Sequence, residues 1–425
     1  MTVTQKELFM DPLKKAERTI LVSLWDNHHR PDDTQVRELT GLVEAAGGQV
    51  VGTLSQRRDN IHQGLGKGAL ADLGDKVSEL DASTVVSDID LSPSMLSQWS
   101  RSLPGRVRVL DRTQVILDIF AQRATSREGT LQVELAQLRY LLPRVGAYRI
   151  SERSGGGIGT RGPGETPLEM DRRRLRYRIQ RLSQELDSVA AERKQRRQRR
   201  AAHELPLIAL VGYTNVGKST LFSRLTGSSP MIADALFVTL DPTVRRIEVP
   251  GFGPALLSDT VGFVDRLPHA LVNAFHATLD EVRDADVLVV VTNGSDPERD
   301  HQLTATQSVL QEVDADEIPQ IVVSNQADRV PPIDQHPATL WISATTGQGL
   351  QTLWDVLRRQ LLEYRQAITL FVPWAQKETW QAIYQSATII RRQDEQEGSW
   401  LAITCANQQR YQFIAFESHD RTPPW

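Results

Sequence analysis

The segment Gly212-Tyr213-Thr214-Asn215-Val216-Gly217-Lys218-Ser219 constrains this chain more than any other. It reads Gly-x-x-x-x-Gly-Lys-Ser, follows the apolar run Leu207-Ile208-Ala209-Leu210-Val211 and leads into Thr220-Leu221-Phe222. A buried strand, a glycine loop and a helix in that order make a phosphate-binding loop, with bare backbone N–H groups turned toward phosphates. Lys218 then balances the β- and γ-phosphate charge, and Ser219 offers its hydroxyl to Mg2+. Strand and helix signals go on alternating from Leu205 to about Gln366, an α/β nucleotide domain.

A phosphate loop alone does not choose the base. Three later segments do. Asp259-Thr260-Val261-Gly262 lies 47 residues downstream of Gly212, after the strand-like Ala255–Leu257. An aspartate there holds Mg2+ through water, and the Gly262 amide reaches the γ-phosphate. Asn325-Gln326-Ala327-Asp328 follows the apolar 320–324 run, and its Asp328 carboxylate suits guanine N1–H and the exocyclic amine, a pair of donors adenine lacks. Ser343-Ala344-Thr345 closes a last strand and offers a backbone amide to guanine O6. In this order the set predicts GTP/GDP binding with Mg2+. Between them lies Leu236-Phe237-Val238-Thr239-Leu240-Asp241-Pro242-Thr243, where Thr239 and Thr243 both qualify as the threonine that meets Mg2+ when the γ-phosphate is present.

Two positions are irregular. Gln326 stands where a lysine usually packs its stem over the base, and Phe263 stands where Ras-like proteins place a water-orienting glutamine. Phenylalanine cannot hydrogen-bond water, so slow intrinsic hydrolysis, completed by a partner or by a group from elsewhere in the chain, is expected.

The 425 residues suit several domains. Residues 1–110 alternate apolar runs (Ile20–Leu24, Val50–Leu54, Val85–Val86, Val107–Leu110) with helix-like stretches (Asp33–Ala46, Ala69–Leu80), which predicts a small parallel α/β domain. Its loop Gly64-Leu65-Gly66-Lys67-Gly68 reads either as a tight turn or as a phosphate cradle. Residues 111–204 carry two seams. Leu131, Leu135, Leu138 and Leu142 form the first, and Leu168, Leu175, Ile179, Leu182, Leu186 and Val189 the second. They predict an antiparallel helical hairpin around the glycine-rich loop 154–164. Residues 168–200 hold twelve Arg/Lys against five acids in a chain whose net charge is −4. Such an excess of arginine beside glycines favours RNA phosphates. Residues 367–425 predict a small α/β appendage, with an apolar start at Ile368–Val372, a helix-like Trp374–Ile390 and strand-like runs at Trp400–Thr404 and Tyr411–Ala415. One cysteine, Cys405, no apolar run of membrane length and a Met1–Leu13 start unlike a signal peptide fit a cytoplasmic protein. Zinc and thiol chemistry find no His/Cys constellation.

With these residues on the page, the chain resembles the HflX family of bacterial GTPases over close to its full length. The stretch from Gly155-Gly156-Gly157-Ile158-Gly159-Thr160-Arg161-Gly162-Pro163-Gly164-Glu165-Thr166-Pro167-Leu168-Glu169-Met170-Asp171-Arg172-Arg173 is similar to the family's linker signature. Gly212–Thr220, Phe237-Val238-Thr239-Leu240-Asp241, Asp259–Phe263, Leu267-Pro268-His269 and Ala274–Leu279 extend the likeness. The resemblance selects Thr239 as the second Mg2+ ligand, beside Ser219. It implies a GTPase that binds the large (50S) ribosomal subunit and its RNA near the peptidyl-transferase region. The expected role is rescue or dissociation of stalled ribosomes, notably under heat stress, with hydrolysis stimulated by the ribosome and a monomer when free. Gln326, Asn293 (usually aspartate), the Asp90–Leu103 segment and the C-terminal tail depart from the family pattern. The competing expectation is a nucleotide-gated RNA-binding protein with vestigial hydrolysis.

Overall fold

The computed structural model describes residues 17–25, 33–105, 107–147, 166–201, 205–228, 236–237, 239, 243–264, 281–331, 335, 339–364, 367–405 and 413–417. The glycine-rich loop 154–164 and the segments Leu267–His269 and Ala274–Leu279 lie outside them, as do Val238, Leu240, Asp241 and Pro242. The described residues form two compact units, one reaching Asp187 and taking in Leu236, Phe237 and Thr239, the other built from the remainder.

The first unit is organised by four parallel strands in the order β2-β1-β3-β4: β1 (Glu17–Trp25), β2 (Gly48–Arg57), β3 (Thr84–Ser87) and β4 (Arg108–Asp111). A parallel strand covered on both faces reads as a near-continuous apolar run, and Thr19 to Leu24 are buried without alternation. The crossovers are α1 (Asp33–Ala45), α2 (Lys67–Glu79) and α3 (Pro93–Ser102). Ile20, Val22, Leu73, Val85 and Trp99 share one core, each large side chain contributing about 1.5–3 kcal/mol. Helix α3 starts where Ser92 accepts from the Met95 amide and Pro93 takes the first turn, a position where its missing N–H costs nothing.

Then come α4 (Arg112–Arg123), capped by Asp111, and α5 (Arg127–Leu141), capped by Ser126. Every residue of α4 from Arg112 to Phe120 is buried. Phe237 is also buried in this unit, its ring edge-on to Phe120 at 4.7 Å, with Leu236 against Gly41. The long α6 (Pro167–Ala201) opens with reciprocal bonds between Thr166 and Glu169. This is a capping box, with proline just inside the helix. The Thr166 amide, then its hydroxyl, holds the Glu169 carboxyl below its ordinary range. The two seams pair as an antiparallel hairpin: Arg178 grips Glu134 through two bonds of 2.7 and 2.9 Å, while Gly146 faces Leu168 and Arg172. Leu175 and Leu182 are buried.

The second unit carries a six-stranded sheet, order β10-β9-β8-β5-β7-β6. Its strands are β5 (Leu207–Gly212), β6 (Thr243–Val249), β7 (Gly253–Asp259), β8 (Val287–Asn293), β9 (Gln320–Asn325) and β10 (Leu340–Trp341). All neighbours are parallel except the β6–β7 hairpin. Helices α7 (Lys218–Thr226), α8 (Arg299–Glu312) and α9 (Leu350–Tyr364) accompany it. A separate antiparallel sheet, β11 (Ala367–Pro373), β13 (Gly398–Thr404) and β12 (Thr388–Asp394), packs with α10 (Lys377–Ser386) around Leu370, Ile383 and Leu401. Here the helix-like 374–390 stretch divides: α10 stops at Ser386, and the β-branched Thr388 and Ile389 pair with β13 instead, with Ile390 at a register shift. Of the Tyr411–Ala415 run, only Phe413 to Ala415 are described, and they lead into a short turn at Ile414–Phe416 rather than a strand.

Candidate nucleotide site

The carboxyl ends of β5, β7, β8 and β9 converge, and the signature segments follow directly from them. Gly212 ends β5 at φ 146°, and a Cβ there would sit 2.2 Å from the Val291 carbonyl oxygen, so no other residue fits. The loop then turns through Asn215 (φ 61°) and Gly217 (φ 90°) into α7. Its first turn after Gly212 is zipped to the segment following β7: the Thr214 amide donates to the Phe263 carbonyl at 2.7 Å, and the Phe263 amide to the Gly212 carbonyl at 3.0 Å.

Lys218 opens α7 with its ammonium buried, donating to the carbonyls of Gly212 at 3.0 Å and Tyr213 at 2.7 Å. Burial pulls its pKa down to about 8, while the charge of Asp259 pulls it back up. Ser219, next on the helix, donates to Asp259 Oδ2 at 2.7 Å. A hydroxyl and a carboxylate side by side at a phosphate loop are the hard oxygen donors that suit Mg2+. Thr260 is tied to the Leu210 carbonyl at 2.6 Å, and Val261 is buried. Gly262 lies so close that a Cβ would meet Thr214 Cα at 2.8 Å and Lys218 Nζ at 3.0 Å. Thr220 is half-buried, as is Ser219, and Val216 is buried. Phe263 is buried too, its ring fixed inside by the backbone zip just described.

On the base side Asn325 acts as a bracket. Its Nδ2 donates to the Val216 carbonyl at 2.9 Å, and its Oδ1 accepts from the Ala344 amide at 3.0 Å. One side chain thus ties the phosphate loop to both guanine segments. The Ala327 amide donates to the Ile342 carbonyl at 2.9 Å, and Ser343 Oγ accepts from Thr346 at 3.1 Å. Asp328 and Thr345 are exposed, while Ser343 and Ala344 are buried.

The two departures near the base turn out to be connected. Ser295 Oγ lies 2.8 Å from Asn293 Oδ1 and 2.9 Å from Gln326 Oε1, and its single proton serves one at a time. Arg329 also donates to Gln326 Oε1, at 3.2 Å. Gln326 sits at φ 64°, a left-handed position, and this network holds its side chain. Sequence reasoning did not single out Ser295, and nothing in its spacing marks it. Thr239 and Phe237 belong to the first unit, and Thr243 begins β6. Among the described residues no cluster of three or more His, Cys, Asp or Glu could hold a metal, and no helix is long and apolar enough to cross a membrane.

Three family models match in succession: a GTP-binding GTPase N-terminal region at residues 33–121, a GTP-binding GTPase middle region at 123–200, and a 50S ribosome-binding GTPase at 207–326. A GTPase HflX of Caldanaerobacter subterraneus subsp. tengcongensis is 38% identical over 403 residues covering 93% of each chain. That of Escherichia coli is 41% identical over 400 residues, covering 92% of this chain and 93% of its own. The solved structure of a Sulfolobus solfataricus GTP-binding protein with GDP covers 80% of this chain and 98% of that one, at 24% identity and a TM-score of 0.43. With the phosphate loop, the guanine bracket and relatives spanning nearly the whole chain, this protein belongs to the HflX family of GTPases.

Proposed function

We propose that this GTPase works on the large ribosomal subunit, where GTP binding and Mg2+-dependent hydrolysis control its release while it rescues or dissociates stalled ribosomes, notably under heat stress. In this reading Ser219 and Thr239 would hold the Mg2+, which would offset phosphate charge. The backbone from Tyr213 to Thr220 cradles the phosphates, with Lys218 on the β and γ groups and the Gly262 amide on the γ-phosphate. Asn325 to Asp328 and Ser343 to Thr345 take the guanine. Water attacks the γ-phosphorus, the bond to the bridging oxygen breaks, and the charge that develops toward GDP falls on Lys218 and the loop amides.

The observation that carries the ribosomal part is Phe263. A buried hydrocarbon ring, pinned by backbone bonds on both sides of its residue, stands where a water-orienting group would follow Gly262. A site built that way gains from a polar group brought by a partner. Mature large subunits with their RNA are the partner that the basic α6 and the name of the third family model favour. The test is GTP hydrolysis at physiological salt with and without purified large subunits. Stimulation of ten-fold or more, about 1.4 kcal/mol off the barrier, is expected. Nucleotide-dependent binding to subunits without any stimulation would instead establish the gated RNA-binding reading. Loss of both would remove the ribosome as partner.

A further inference from the structure

Helix α6 has two unlike faces. Leu175 and Leu182 are buried on one, where Arg178 meets Glu134. Directly opposite, Tyr177 is 70% exposed. At 100° per residue, the positions between Met170 and Gln184 that lie within roughly 60° of Tyr177 are Met170, Arg173, Arg174, Gln180, Arg181 and Gln184. All are exposed and none is acidic. Three nearby acids are engaged: Glu169 caps the helix, Asp171 is buried, and Glu185 pairs with Arg181 at 3.0 Å from one edge of the face, while Asp187 is exposed about 80° round the helix at the other edge. That last pair is exposed, and such a pair is worth at most about 1 kcal/mol, so Arg181 exchanges it readily for a phosphate.

A lone exposed tyrosine needs no explanation. An aromatic ring framed at i−4, i−3 and i+4 by arginines, with no acid on its side of the helix between Met170 and Gln184 and the other side anchored, is a different object. Every nucleobase has a π-face to stack, and guanidinium forks take the flanking phosphates. We propose that this face binds single-stranded RNA, with Tyr177 stacking on one unpaired base and Arg173, Arg174 and Arg181 on the neighbouring phosphates. The proposal rests on the ribosomal reading above and specifies which surface of the hairpin makes the RNA contact.

The test uses the full chain and two probes: a labelled single-stranded oligoadenylate, followed by anisotropy, and purified large subunits, followed by sedimentation. Guanine-nucleotide affinity of each variant reports that it is folded. Tyr177→Ala is expected to weaken oligoadenylate binding by roughly 5- to 100-fold, as loss of one base–aromatic stack does, while Tyr177→Phe binds as the parent. Replacing Arg173, Arg174 and Arg181 together with Gln lowers the slope of log affinity against log salt by about 2, close to the 0.7 per phosphate of single strands. Tyr177→Ala binding as tightly as the parent overturns the stacking. Parent and all variants sedimenting alike with large subunits overturns this face while leaving the ribosomal reading in place. A photo-crosslinker at position 177 that labels only ribosomal protein overturns RNA as the ligand. A parent chain that ignores large subunits in every nucleotide state sinks both.

Discussion

At the scale of single residues, Lys218 is the most informative group. Its ammonium is buried with two backbone carbonyls for partners, and desolvation holds it near a pKa of about 8. The sign follows from the charge that GTP brings. A triphosphate stabilises the protonated form, so binding raises the pKa. Below about 8 the lysine is already charged and binding moves no proton; above that value binding takes one up, and affinity falls as pH rises. Calorimetry of GTP binding at pH 9 in buffers of different ionisation enthalpy should show an uptake approaching one proton, against little at pH 7 beyond that of the nucleotide itself. Equal uptake at both pH values, once the nucleotide's own ionisation is subtracted, would mean that the phosphates do not meet Lys218. Gln326 illustrates a different point. Its replacement of the usual lysine looked isolated in the sequence, as did Asn293, yet both lean on Ser295. Two positions thirty-odd residues apart along the chain thus meet at one hydroxyl, which no linear pattern discloses.

At the scale of elements, the Asn325 bracket binds three segments through one amide. Asn325→Ala removes two buried hydrogen bonds and strands their partners, at about 1–3 kcal/mol each. Guanine-nucleotide affinity should fall by at least ten-fold while the far-ultraviolet circular dichroism stays unchanged; undiminished affinity would show that the loops hold their places without it. The same residue marks what was legible. In the sequence, Asn325-Gln326-Ala327-Asp328 had a role only in recognising the base, through Asp328, and the bracing role of Asn325 emerges from distances that link β9 to Val216 of the phosphate loop and to Ala344. Strands β1, β3 and β4 were readable because each carries a short, buried apolar run, and β2 because Val50–Leu54 keeps one within a half-exposed strand. The hairpin was readable because each seam repeats at helical spacing. Helix α3 went unread although Ser92 and Pro93 announce it and Met95, Leu96 and Trp99 fall on one buried side. In the tail, Thr388-Ile389-Ile390 continued a helical apolar rhythm that only pairing with β13 converts to strand.

At the scale of the whole molecule, the segment that carries Thr239 is held by something unrelated to nucleotide. Phe237, two residues before it, is buried against Phe120 of α4. An aromatic contact of this kind is worth about 0.5–1.5 kcal/mol beyond the area it covers. If engaging the γ-phosphate draws Thr239 away, the ring must come out, and GTP binds more weakly by that amount whereas GDP does not. The apparent affinity for a ligand scales with the fraction of molecules in the competent state. Phe120→Leu, which keeps α4 apolar but loosens the ring contact, should therefore raise the ratio of GTP to GDP affinity by roughly 2- to 10-fold; an unaltered ratio would show that the ring stays seated throughout. A phenylalanine inside α4 would then act as a counterweight, setting how often the protein sits in its loaded form at a given cellular ratio of the two nucleotides.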